Sequence, residues 1–206
     1  EFRTIAYSRR YHWPNEAIPE GATYSMGEHV DDLGQVVNSL AGNPVHLIGH
    51  SYGGFLCLLF AFKEPRLVRT LVLSEPPVIT LFVKDIPKRM ELIRLLFTQP
   101  RIAASLVRFG MLGIMPARKA FKRGDREAGI RAYAKGIFGL GGYDRLSGSR
   151  KAQVKDNLAN VQAELIGPGL LPLDQAELQS LRVPTLLVSG QRSIALFRQL
   201  TDHLHA

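Results

Sequence analysis

Apolar residues alternate between short unbroken runs and helical spacing along this 206-residue chain. Phe2–Tyr7 carries Phe, Ile, Ala and Tyr around one Thr, which predicts a short buried strand. The stretch from Ser8 to Thr23 is rich in Arg, Pro, Asn and Gly and predicts a loop. Met26, Val30, Leu33, Val37 and Leu40 recur at helical spacing and define one apolar face. Ser25-Met26-Gly27-Glu28 fits a capping box at the start of that helix, and Gly42-Asn43-Pro44 predicts its end. Val45–Ile48 is a second apolar strand. A sharp turn, Gly49 to Gly54, leads into Phe55–Phe62, which is apolar on all sides and suits a fully buried helix. Glu64-Pro65-Arg66 closes that helix, and Leu67–Leu73 predicts a third strand. Strand, turn, helix and strand in this order make a βαβ unit and imply a parallel sheet.

The pattern changes at about residue 80. Helices are predicted over Lys84–Thr98, Arg101–Phe109, Asp125–Ile137 and Lys151–Leu165, with Ile86, Met90, Ile93 and Phe97 as the apolar face of the first. Glycines 139, 141, 142 and 148 separate the third from the fourth, and Gly167-Pro168-Gly169 closes the run. Pro184–Ser189 predicts a further strand and Ser193–His203 a final helix. The expected fold is therefore α/β: a parallel sheet built from residues 1–79 and 183–206, interrupted by an all-helical insertion over 80–182.

Composition narrows the class. With 46% hydrophobic and 21% charged residues, wholesale disorder is excluded. The longest apolar run has eight residues, Phe55 to Phe62, against about twenty for a transmembrane helix. The Glu-Phe-Arg-Thr start carries no signal-peptide pattern. The single cysteine, Cys57, excludes an intramolecular disulfide framework and a multi-cysteine metal site, and favours a reducing, cytoplasmic setting. The net charge of +8 is uneven: residues 84–155 hold 17 Lys or Arg against 5 Asp or Glu. Such a stretch can attract nucleic acid, anionic lipid or acidic substrates. It is spread over several helices without a zinc-finger, helix-turn-helix or RNP pattern, so it reads as a solvated helical surface and no nucleic-acid partner is expected.

One motif carries chemistry. Gly49-His50-Ser51-Tyr52-Gly53 matches G-x-S-x-G between an apolar strand and a buried helix, the setting a nucleophile elbow requires. Small residues at 49 and 53 let strand and helix approach each other. Ser51 then projects its hydroxyl from the sheet edge, and the Tyr52 amide at the helix N-terminus can donate to a developing oxyanion.

On these residues the chain resembles the α/β-hydrolase superfamily, over nearly its whole length. Arg3–Ser8 looks like the family's fourth strand and Ser8–Trp13 like the loop that follows it, with Arg10 retained. Residues 45–62 look like the fifth strand, elbow and helix; 67–74 like the sixth strand; 183–190 like the seventh. The helical insertion is similar to the family's cap. The resemblance implies a triad in the order Ser, acid, His. Gln191–Ile194 supply no acid, so Glu75, after the third predicted strand, becomes the candidate; a loop glutamate held by backbone amides is the alternative. Only His203 and His205 follow Glu75, and both read as surface histidines at a helix end. The catalytic histidine, the second oxyanion donor and about three leading strands are then expected outside this chain, which reads as the middle of a hydrolase.

The expected function is a serine hydrolase cleaving an ester or related acyl bond through an acyl-enzyme at Ser51, inactive as this piece alone. Tyr52 is the expected oxyanion donor and Glu75 the acid. No cofactor and no metal is implied. The partner is a small, apolar acyl substrate in a capped pocket. His12, on the same sheet edge as Ser51, is expected to line that pocket, and Phe109, Met111 and Met115 are further candidates. His50 is expected to point away from Ser51. The alternative is a non-catalytic binding protein of the same fold, with a small apolar ligand in the cap pocket.

Overall fold

A computed structural model of the chain describes residues 2–40, 44–84 and 89–205. Helix α1 spans Met26–Leu40, strand β1 Val45–His50, α2 Tyr52–Lys63 and β2 Val68–Ser74. Helices α3 (Arg89–Thr98), α4 (Pro100–Phe109), α5 (Met115–Lys122), α6 (Arg126–Phe138), α7 (Gly148–Asp156), α8 (Leu158–Ile166) and α9 (Gln175–Ser180) follow. Strand β3 (Thr185–Val188) and α10 (Ala195–His205) close the chain.

The strands form one parallel sheet in the order β1-β2-β3. The βαβ unit is thus confirmed as β1-α2-β2. Helix α2 is apolar all round because it is sunk in the core: Phe55, Phe60 and Ala61 are fully buried beside Leu71 and Leu73 of β2. Helix α1 covers the same core with Met26, Val30, Leu33 and Val37. Its capping box forms as expected, with Ser25 Oγ accepting from the Glu28 amide and the Glu28 carboxylate from the Ser25 amide. The side chain of Leu40 and the proposed stop at Gly42-Asn43 lie outside the described residues.

Three expectations are corrected. Phe2–Tyr7 is not a strand: it joins no sheet among the described residues, and Phe2 is 85% exposed, with its ring edge-on to that of His46 on β1. The apolar face expected on the first helix of the insertion faces solvent. Met90 and Phe97 are 71% and 82% exposed, and Ile86 lies outside the described residues. Leu95 is buried instead, against Val83, which precedes the helix, and Ile102 and Ala103 of α4. Apolar residues occupy most positions from 90 to 97, so two stripes satisfied the same spacing and packing on α4 selected one. Finally, the fourth predicted helix is two, α7 and α8, broken at Asn157.

The sequence pattern missed α5 and α9. Helix α5 continues from a π-helical turn, Gly110–Ile114, and carries Pro116 in its first turn. Gly113 lies against Gly136 of α6 so closely that a Cβ on Gly113 would stand 2.8 Å from the Gly136 Cα. That bare contact brings the turn and α6 together without intervening side chains.

Candidate active site

The elbow is the most constrained turn in the chain. Ser51 adopts φ 50°, ψ −123°, in the left-handed half of backbone space that a residue with a Cβ rarely enters. Its amide donates to the Ser74 carbonyl at the end of β2, 2.8 Å away, and its carbonyl accepts from the Phe55 amide. A Cβ on Gly49 would stand 2.5 Å from the Gly53 carbonyl oxygen and 2.6 Å from the Gly54 Cα. Strand and helix therefore touch where Gly49 meets the backbone of Gly53 and Gly54, while a Cβ on Gly53 itself would meet nothing. The Ser51 hydroxyl has no hydrogen-bond partner among the described residues. Tyr52 opens α2, so its amide is among the four N–H groups without an intrahelical acceptor.

Glu75 follows β2, also at positive φ (49°), and is nearly buried. Its amide donates to the Val188 carbonyl of β3, and its Oε1 accepts from the Gly190 amide at 2.7 Å. Ser51, Tyr52 and Glu75 line one cavity of about 1590 Å³ between the sheet's carboxyl edge and the helical run. Phe109, Met111 and Met115 line it from the helical side; Met111 and Met115 are 64% and 65% exposed rather than packed in a helical core. His50, the residue before Ser51, also lines the cavity.

His12 is not among the described residues that line this cavity; it is held in a polar cluster with Arg9 and Asn160. Arg9 Nη2 donates to His12 Nε2 at 2.8 Å, and His12 Nδ1 lies 2.7 Å from the Asn160 side-chain nitrogen and 3.2 Å from the Arg10 carbonyl. Burial, and then the Arg9 charge, push its pKa down to about 4. Arg9 bonds the Glu164 carboxylate at 2.9 Å and lies 4.3 Å over the Tyr52 ring. Burial opposes its charge, but Glu164 outweighs that and raises the Arg9 pKa. Tyr24 donates to the same carboxylate. His29 lies beneath, ring to ring with Tyr24, with neither nitrogen hydrogen-bonded, and burial lowers its pKa to about 4. Arg10, the retained residue of the loop motif, binds Asp32 through two nitrogens and Glu28 through a third contact, fixing the loop on α1.

His203 lies on α10 with its ring 4.7 Å from Phe82, and neither it nor His205 reaches the cavity. No histidine hydrogen-bonds to Ser51 or Glu75 among the described residues. The sequence reading also missed cavity residues: Arg118 and Lys122 on α5, Arg145 beyond α6, Glu164 on α8, and Arg192 and Ser193 after β3. Their helices had no pattern marking an inward face, and Arg145 is held by the carbonyls of Phe138 and Leu140 in a glycine-rich turn. No described helix is long and apolar enough to cross a membrane.

Comparison with known proteins agrees with this geometry. A protein of Bacillus subtilis named as a 2-succinyl-6-hydroxy-2,4-cyclohexadiene-1-carboxylate synthase is 27% identical over 183 residues, covering 87% of this chain and 60% of that protein. A protein of Serratia proteamaculans named as a carbamate hydrolase is 36% identical over 56 residues, 27% of this chain and 20% of that protein. The chain thus spans 60% or less of these relatives' lengths. Among solved structures, an alpha/beta hydrolase from Sphaerobacter thermophilus superposes with a TM-score of 0.54 at 20% identity, over 96% of this chain and 68% of that one. Residues 1–199 match the family described as alpha/beta hydrolase fold. With the parallel sheet and the strained serine turn at its edge, that match makes the chain a member of the alpha/beta-hydrolase family.

Proposed function

We propose that Ser51 is the nucleophile of a serine hydrolase acting on an ester or related acyl bond. The observation that carries this is the Ser51 backbone: a strained turn keeps a hydroxyl without a partner at the mouth of a large cavity. A binding site gains nothing from that strain, whereas a nucleophile needs the exposure. In the reaction, Ser51 Oγ attacks the carbonyl carbon as its proton passes to a histidine base. The Tyr52 amide donates to the oxyanion. The alcohol leaves with the transferred proton; water then adds to the acyl-enzyme, releasing the acid and restoring Ser51. Glu75 is the group that would orient the histidine. Its Gly190 contact occupies one oxygen and leaves the other for that role.

The same proposal takes residues 80–182 as a cap closing the cavity, places the protein in the cytoplasm, and assigns the base to a histidine beyond those described, so the 206 residues alone are expected to be inactive. The test is hydrolysis of a p-nitrophenyl ester by the complete reading frame that encodes this chain. Ser51→Ala should abolish turnover, and Glu75→Gln should lower kcat by about 10²-fold or more, as loss of a positioned group in a triad does. Turnover that survives Ser51→Ala would overturn the assignment. A second reading, a non-catalytic binding protein, is favoured by Glu75 satisfying a backbone amide with no histidine beside it. Ligand binding by a complete protein that turns over no acyl substrate would select it.

A further inference from the structure

The cavity's charge is not balanced. Two carboxylates line it, and both are engaged: Glu75 accepts from the Gly190 amide and Glu164 is paired with Arg9. Against them stand Arg118, Lys122, Arg145 and Arg192. Arg145 is held by two backbone carbonyls, which satisfy its donors without cancelling its charge. Arg118, Lys122 and Arg192 have no hydrogen-bond or ion-pair partner among the described residues. The imbalance agrees with the surplus of basic residues over 84–155, part of which is now seen to face inward.

The cations are ordered. Met111, Met115, Arg118 and Lys122 all line the cavity and succeed one another at intervals of four, three and four residues along the π-helical turn and α5. Such spacing puts them on one stripe. The stripe starts with two exposed thioethers and ends with two cations about one helical turn apart, and Met115 to Lys122 covers about 10 Å at 1.5 Å per residue. Methionine offers an adaptable apolar surface, and paired cations in a cleft with apolar walls concentrate an anion.

We propose that this stripe selects an amphiphilic anionic acyl substrate, its apolar chain lying along Met111 and Met115 and a carboxylate or phosphate at its far end meeting Arg118 and Lys122. This deepens the hydrolase reading and rests on it for the word substrate; the anion site itself does not depend on turnover. It replaces the purely apolar ligand expected from sequence with one that is charged at one end.

Binding is measured by calorimetry on the complete protein carrying Ser51→Ala, with monomethyl octanedioate as the anionic probe and dimethyl octanedioate as its neutral partner. The anion should bind at least about 10-fold more tightly at low salt, and the ratio should shrink as salt rises, because a paired contact to a partly exposed cation is screened. Arg118→Gln with Lys122→Gln should bring the ratio close to one. Lys119→Gln, on the same helix but off the cavity, should keep it. Lys122→Gln alone, at an exposed position, gives an intermediate ratio if the double variant fails to fold. Equal affinity for the two probes, or a preference that survives the double substitution, overturns the proposal. Turnover of the dimethyl ester by the protein with Ser51 restored is scored separately. Anion preference without turnover defeats the hydrolase reading alone, and turnover without anion preference defeats this one alone.

Discussion

Gly49 shows what the elbow demands of a single residue. Its missing Cβ is what lets β1 and α2 meet, because that atom would lie 2.5–2.6 Å from backbone atoms of Gly53 and Gly54, which cannot rotate away. Gly49→Ala should therefore destabilise the fold by about 2 kcal/mol or more, the scale of an overpacked core, whereas Gly53→Ala should cost far less. Denaturant unfolding of the two variants checks the contrast. The glycines of the motif were legible in sequence, but which of them is crowded was not, since that depends on how the helix leaves the turn. The histidines make a second residue-scale case. His12 and His29 are held neutral, each with a pKa lowered from 6.5 to about 4, first by burial and then by the Arg9 charge. The unfolded chain takes up protons as pH falls through about 6.5 while the folded chain does not. Their stabilising contribution is therefore complete above that value and is lost as pH drops toward 4. For His29 taken alone it amounts to about 3 kcal/mol. The urea midpoint should fall between pH 7 and pH 4.5, and His29→Phe should flatten that fall. A midpoint insensitive to pH would contradict the buried, neutral assignment.

Between elements, the Arg9–Glu164 pair ties the loop after Tyr7 to α8, across 155 positions in sequence. Removing one partner strands a charge that retains little access to water, since the two side chains are 22% and 18% exposed. Glu164→Ala should cost about 3 kcal/mol, and Arg9→Met with Glu164→Leu should cost less than the single change. A double-mutant cycle in denaturant reads the difference. Nothing in the sequence announced this pair: Arg9 was visible only as a neighbour of Arg10, which matches the loop pattern, and α8 was fused with α7 in the pattern. The parallel βαβ unit, the capped α1 and the buried α2 were legible because each needs only local spacing and one kind of core. The face of α3 was not, because apolar residues there outnumber the positions that α4 and the Val83 segment cover.

At the scale of the molecule, that uncovered face is one of several exposed apolar areas. Met90, Leu96 and Phe97 are 71%, 55% and 82% exposed. Met90→Ser and Phe97→Ser should change stability by no more than about 0.5 kcal/mol each, as surface substitutions do, while lowering the fluorescence of a bound hydrophobic dye. A large loss of stability would mean the stripe packs inward after all, as its spacing first suggested. The three strand ends are joined by hydrogen bonds that continue past the sheet. The Ser51 amide reaches the Ser74 carbonyl, the Glu75 amide the Val188 carbonyl, and the Gly190 amide the Glu75 carboxylate. Each turn is thus clamped by the next strand's turn, as links in one chain. In deuterated water these three amides should exchange their protons as a single cooperative unit, at a rate set by the opening of the whole sheet edge rather than by any one loop.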